Sequence, residues 1–130
     1  MKYKDFLGEV HARAHLAELE EAVKATRATL EVFGIRLTKD ERDNLKAQLP
    51  EEIGIYLAYG GEVERFGLDE FYRRVQEREG VDMPDTIHHA QAVISVLDDA
   101  VSRGELKDIK AQLPEDFSPL FNGDTLQDQN

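Results

Sequence analysis

Apolar residues recur at steps of four and three along two long stretches of the chain. Leu19, Val23, Thr26, Leu30, Phe33 and Leu37 form the first set; Met83, Ile87, Ala90, Ile94, Leu97 and Val101 form the second, each displaced by 64 positions. Steps of three and four place side chains on one stripe of an α-helix. The pattern therefore predicts two helices of about five turns, over 19 to 37 and 83 to 101, each facing a core. Val93 and Val96 widen the second stripe, as in a central helix covered on more than one side. Upstream, with a displacement of 65, Tyr3, Phe6, Leu7 and Val10 match Leu68, Phe71, Tyr72 and Val75, which predicts a shorter amphipathic helix at the start of each half.

The polar residues between these stripes read as helix ends. Thr38-Lys-Asp-Glu41 and Ser102-Arg-Gly-Glu105 both fit the pattern in which a hydroxyl caps the third helical amide and the glutamate reaches back to the cap. The helices they start carry Leu45 and Leu49 in one half, Leu106, Ile109 and Leu113 in the other. Both end in the same hexapeptide, Lys-Ala-Gln-Leu-Pro-Glu, at 46 to 51 and 110 to 115. Proline has no amide hydrogen and disfavours helix at the preceding residue, so Leu49 and Leu113 should close their helices. Pro50 and Pro114 then suit the first position of a short closing helix, and Glu51-Glu52 and Glu115-Asp116 suit the positive end of its dipole. Gly80 supplies a left-handed stop for the second half's first helix, with Asp82 and Asp85 ready to cap the next; His15 holds the matching stop position in the first half. A corner is needed wherever the chain turns in the same way, so the hexapeptide reads as architecture rather than as a catalytic signature.

The expected fold is all-α: a compact bundle of about eight helices from two tandem pseudo-symmetric four-helix repeats, 3–58 and 68–122. These would form a single domain over 1–130, with a linker at 59–67 that holds three of the nine glycines and a flexible, apolar-poor tail at 123–130. The two long helices should be the central pair, with the first and third helices of each half packed around them.

Composition narrows the function classes. The chain has 41% hydrophobic and 33% charged residues, enough for a core in water, and no apolar run near the roughly 20 residues needed to span a bilayer. The start, Met-Lys-Tyr-Lys-Asp-Phe, has no apolar stretch of signal-peptide type, so the expected location is the cytoplasm. With no cysteine there is no disulfide, thiolate nucleophile or Cys-containing zinc site. The formal charge of −11 is unevenly spread: residues 1–65 hold 10 basic and 13 acidic side chains, the remainder 6 and 14. Such a chain repels phosphate backbones and shows no Lys/Arg stripe with interleaved aromatics, so no nucleic acid is expected as partner.

The arrangement F-x-x-x-V, a long helix, S/T-x-x-E and A-Q-L-P-E, all repeated, resembles the uncharacterised prokaryotic family known as domain of unknown function 2267. The matching segments run from Phe6 to Leu57 and from Phe71 to Phe121. The second is closer, with Arg-Glu-Gly-Val at 78 to 81 and Ser-Arg-Gly-Glu at 102 to 105; the first departs at His-Ala-Arg-Ala-His-Leu, 11 to 16, and lacks the glycine in Thr38-Lys-Asp-Glu41. The resemblance implies an all-α domain of small bacterial cytoplasmic proteins. It carries no activity, cofactor or catalytic residue to transfer.

Candidate chemistry is sparse. His11 and His15 stand at i, i+4, a spacing that lets two imidazoles share a metal on one helix face, but no H-E-x-x-H motif accompanies them. His88 and His89 are adjacent, hence about 100° apart on a helix, and cannot chelate one ion together. Either pair could sense pH, since histidine titrates near 6.5. Glu20-Glu21, Glu51-Glu52 and Asp98-Asp99 could do acid/base work only in a pocket that separates their pKa values; helix-start and solvated roles are the simpler expectation. Gly60-Gly61 lacks the G-K-S/T of a phosphate loop. Gln48 and Gln112 are placed to satisfy backbone groups freed at a helix end, so Gln112→Ala is expected to lower thermal stability. Catalytic, cofactor and metal residues are therefore expected to be none. The favoured function is a non-enzymatic helical interaction module whose acidic surface meets a protein partner or another copy of the chain. The alternative is a small-molecule binder or enzyme with a pocket between the two repeats.

Overall fold

The computed structural model describes residues 1–122, and the expected tail at 123–130 lies outside them. Seven α-helices follow in order: α1 Tyr3–Arg13, α2 Leu19–Arg36, α3 Lys39–Gln48, α4 Glu51–Gly54, α5 Leu68–Glu79, α6 Met83–Ala100 and α7 Glu105–Gln112. A 3-10 turn, Ile55–Leu57, extends α4; another, Glu115–Phe117, leads into helical residues 118–122, so the described residues form eight helical segments and no strand. The bounds of α6 are those of α2 displaced by 64, and α3 and α7 end at matching residues, each followed by an extended leucine and the proline.

The two long helices touch, and each is flanked by both α1 and α5. The packing crosses the midpoint of the chain: α1 lies on α6 as well as α2, and α5 lies on α2 as well as α6. One contiguous core results. Leu30, Phe33, Phe71, Ile94, Leu97 and Phe117 are all shielded from solvent. Phe71 meets Phe33 and Phe117 edge to face, at centroid separations of 6.3 and 6.0 Å. Such pairs add about 0.5–1.5 kcal/mol each beyond the area they bury. Val93 and Val96 are fully buried, as their widened stripe requires. At the first turns the stripes are only partly covered: Leu19 is 54% exposed, and Val23, Met83 and Ile87 are half-buried against the core, while Ala22 and Thr86 in the same turns are fully buried. The third helices depart from the expected ring around the central pair. α3 packs chiefly on α4 and its 3-10 turn.

The helix ends divide into fulfilled and corrected expectations. Thr38 Oγ1 accepts the Glu41 amide at 3.2 Å and Glu41 Oε1 accepts the Thr38 amide at 2.9 Å, a complete reciprocal cap. Ser102 and Glu105 form no such box. Gly104 adopts φ 90° and becomes the residue before α7, which starts two positions later than the displaced start of α3. That left-handed turn swings Ser102 out of capping reach, and its amide donates instead to Gln48 Oε1 of the other half at 2.6 Å. Gly80 (φ 77°) and His15 (φ 54°) are both left-handed, as the stop positions predicted.

Two arginines that the pattern of apolar residues did not single out pin the linker. Arg42 is buried; its Nη1 donates to the carbonyls of Gly34 and Leu37 and its Nη2 to that of Gly61, while its guanidinium lies over Tyr59. No carboxylate pairs with it among the described residues. The negative end of the α2 dipole, with its unsatisfied carbonyls, supplies the counter-charge. Arg36, also buried, donates from Nε to the Phe66 carbonyl at 2.8 Å and packs over the Phe66 and Phe117 rings. The linker ends at Gly67, where a β-carbon would come within 2.9 Å of Asp116 Oδ2. Asp116 in turn accepts the Leu68 amide at 3.0 Å, so the closing corner of the second half caps the helix that opens it.

Candidate functional site

The histidines, dispersed in sequence, are brought together at the end of α1 and the start of α6. His15, turned outward by its left-handed backbone, stacks on His88 with ring centroids 5.8 Å apart and planes 7° from parallel. His11 instead faces the Ala17 carbonyl, 3.4 Å from Nε2, so the i, i+4 pair is splayed by the helix end between its members. His88 and His89 diverge, their planes 53° apart. Among the described residues no three His, Cys, Asp or Glu side chains gather as a metal would need.

His89 pairs with a buried carboxylate. Its Nδ1 lies 2.5 Å from Oε2 of Glu79, the last residue of α5, and both side chains are buried. The hydrogen bond to Glu79 raises the His89 pKa above its ordinary value, against the opposing effect of burial; the charges of Glu79, Asp85 and Glu21 add to the rise. Glu79 Oε1 is buried and has no hydrogen-bond partner among the described residues. The arrangement can hold a proton at the junction of α5 and α6. Sequence spacing could not find it, because ten residues and a left-handed turn separate the partners.

The same seam between α1 and α6 carries Asp98 and Asp99. Asp99 Oδ2 accepts from Arg13 Nη2 at 2.5 Å, Ser95 Oγ from Arg13 Nη1 at 3.0 Å, and Glu9 binds the other side of the guanidinium. Desolvation opposes these partners, yet the net result is an Arg13 pKa above its ordinary value. Asp98 stays exposed. Both aspartates border an open cleft of about 460 Å³ whose floor is Ile94, Leu106 and Phe121 and whose rim includes Lys107 and Lys110. The other carboxylate pairs have local work: Glu21 Oε1 accepts the Glu18 amide at 2.9 Å, while Glu20, Glu51 and Glu52 stand exposed in first helical turns.

The repeated glutamines behave differently from one another. Gln48 Nε2 donates to the Asn44 carbonyl at 3.1 Å, and its Oε1 takes the Ser102 amide, which joins the two halves. Gln112 is exposed, makes no hydrogen bond with a described residue and borders an open cleft with Arg36, Arg65 and Asp116. The capping role expected of Gln112 is therefore absent, since the backbone of Thr38, the counterpart of Ser102, is already satisfied by Glu41. Gly60 and Gly61 border a different cleft, of about 500 Å³, beside Lys39, Arg42 and Lys46.

One large apolar side chain stands out on the corner after α4. Ile55 is 64% exposed and separates two shallow clefts, one lined by Leu49 and Ala58, the other by Ile35, Tyr56 and Tyr59. Glu51 and Glu52 flank it and make no ion pair with a described residue.

These features define an all-helical protein with open clefts where its two halves and its linker meet. No helix among the described residues is long and apolar enough to cross a membrane. The chain belongs to the family described as Uncharacterized conserved protein (DUF2267), whose model matches residues 3–120. No curated protein matches it in sequence.

Proposed function

We propose that the chain is a non-enzymatic interaction module, and that it meets a protein partner through the Ile55 corner. The observation that carries this reading is the exposure of Ile55 between two clefts, one lined by Leu49 and Ala58 with Lys46 at its edge, the other by Ile35 and two tyrosines with Glu31 and Arg78, while Glu51 and Glu52 beside it make no ion pair with a described residue. An apolar anchor inside a charged rim is the usual anatomy of a protein interface, and the carboxylates favour a partner with a basic surface. The net charge of −11 would steer such a partner from a distance in a salt-dependent way.

A crosslinking pull-down from native extract at two salt concentrations, comparing the unaltered chain with Ile55→Asp, tests the reading. The expected result is one dominant partner, weakened by salt and lost in Ile55→Asp. Equal capture by both proteins would sink it. A second reading, a small-molecule pocket between the halves, is favoured by the cleft over Ile94, Leu106 and Phe121, to which Arg13 brings a charge from the first half. A ligand of that cleft would raise the melting temperature without any response to Ile55→Asp.

A further inference from the structure

The cleft beside the linker gathers groups that neither reading uses. It is open, about 770 Å³, and is built from the end of α2, the linker and the second proline corner: Arg36, Arg65 and Gln112 supply its donors and Asp116 its single carboxylate. Arg36 is 4% exposed, yet only its Nε is hydrogen-bonded among the described residues; neither Nη1 nor Nη2 has a partner there. The Phe66 and Phe117 rings hold the guanidinium plane in place. Both Nη nitrogens stay within reach of solvent, so they are open to a ligand at the cleft.

Arg65 brings a second positive charge to the same cleft. It forms no ion pair with a described residue, and after burial its charge is the main influence that lowers the Arg36 pKa. Asp116 and Glu41 act in the opposite direction, and Asp116 Oδ2 also accepts the Leu68 amide at the start of α5. Gln112 offers a free amide at the same cleft, whereas its counterpart Gln48 is consumed in joining the halves.

We propose that this cleft binds a small phosphate-bearing molecule, with Arg36 and Arg65 gripping the oxyanion and the Gln112 amide donating to it. Two guanidiniums present several donors in planes that match oxyanion geometry, and that of Arg36 is held by its Nε bond and two flanking rings. The bound charge relieves the repulsion between the two arginines. The site goes beyond the docking reading and lies on residues separate from the Ile55 corner, so either can fail alone.

The test is a titration of the full chain with inorganic phosphate at constant ionic strength, with chloride as the balancing anion, followed by NMR of arginine Nε–H and glutamine side-chain amide signals. Saturable shifts of Arg36 and Gln112 are expected. Arg65→Gln, an exposed change that leaves the fold intact, should weaken binding by about tenfold, the loss expected for one charge-assisted hydrogen-bond donor. Asp116→Asn keeps a capping oxygen, removes the opposing charge and should tighten binding. Linear, unsaturable shifts, or equal affinity in Arg65→Gln, would overturn the proposal.

Discussion

Gln48 and Gln112 occupy the same place in the repeated hexapeptide, but among the described residues only Gln48 has a long-range partner, the Ser102 amide. Replacing Gln48 by alanine leaves the exposed Ser102 amide to water and removes a link between the halves, which should cost about 1 kcal/mol. For a chain of this size that is a fall of about 4 °C in melting temperature. Gln112→Ala should leave the melting temperature unchanged; a fall equal to that of Gln48→Ala would contradict the geometry. A second prediction at this scale concerns His89. Its folded pKa is raised, so below the ordinary value of 6.5 the imidazolium is present in both folded and unfolded chains and the pairing with Glu79 contributes in full. As pH climbs from 6.5 through the raised folded value the proton leaves, and that contribution is lost. Melting temperature followed across this window should therefore decline more in the unaltered chain than in His89→Gln. An identical pH profile for the two would refute the assignment.

At the scale of elements, the two glycines Gly8 and Gly104 show opposite requirements. Gly8 lies on the exposed side of α1, where an added β-carbon meets nothing within 4 Å. Gly8→Ala should stabilise the protein by about 0.5–1 kcal/mol by restricting the unfolded chain. Gly104 sits at φ 90°, and Gly104→Ala should destabilise by about 1–2 kcal/mol although space is free around it. Urea denaturation of both variants checks the pair, and the same sign for both would show the α7 turn to be misassigned. The long helices, the proline corners and the Thr38 cap were legible because periodicity, missing amide hydrogens and hydroxyl-to-amide spacing are local. Ser102 was misread for the same reason. Its spacing fits a capping box, but the left-handed glycine and a glutamine 54 positions away decide its bonding, and neither effect is carried by a four-residue pattern.

The clefts and the histidine group belong to the whole molecule. Arg36 and Arg42 look like ordinary charged residues in sequence; only packing of the linker against the end of α2 buries them and leaves one satisfied by carbonyls and the other with free donors. His15 and His88 are 73 positions apart and meet because α1 lies on α6. The duplicated pattern, by contrast, predicted which helices are long and where each ends. Its meaning depends on how the halves share their core. With Phe33 of one half packed on Phe71 of the other, and α1 and α5 each lying against both long helices, we propose that the duplication builds one cooperative domain rather than two modules in series.

Urea unfolding of the full chain, followed residue by residue through backbone amide NMR signals, tests this most directly. The account predicts one midpoint shared by core amides of α2, such as Leu30, and of α6, such as Ile94. Two separate midpoints, one for each half, would contradict it.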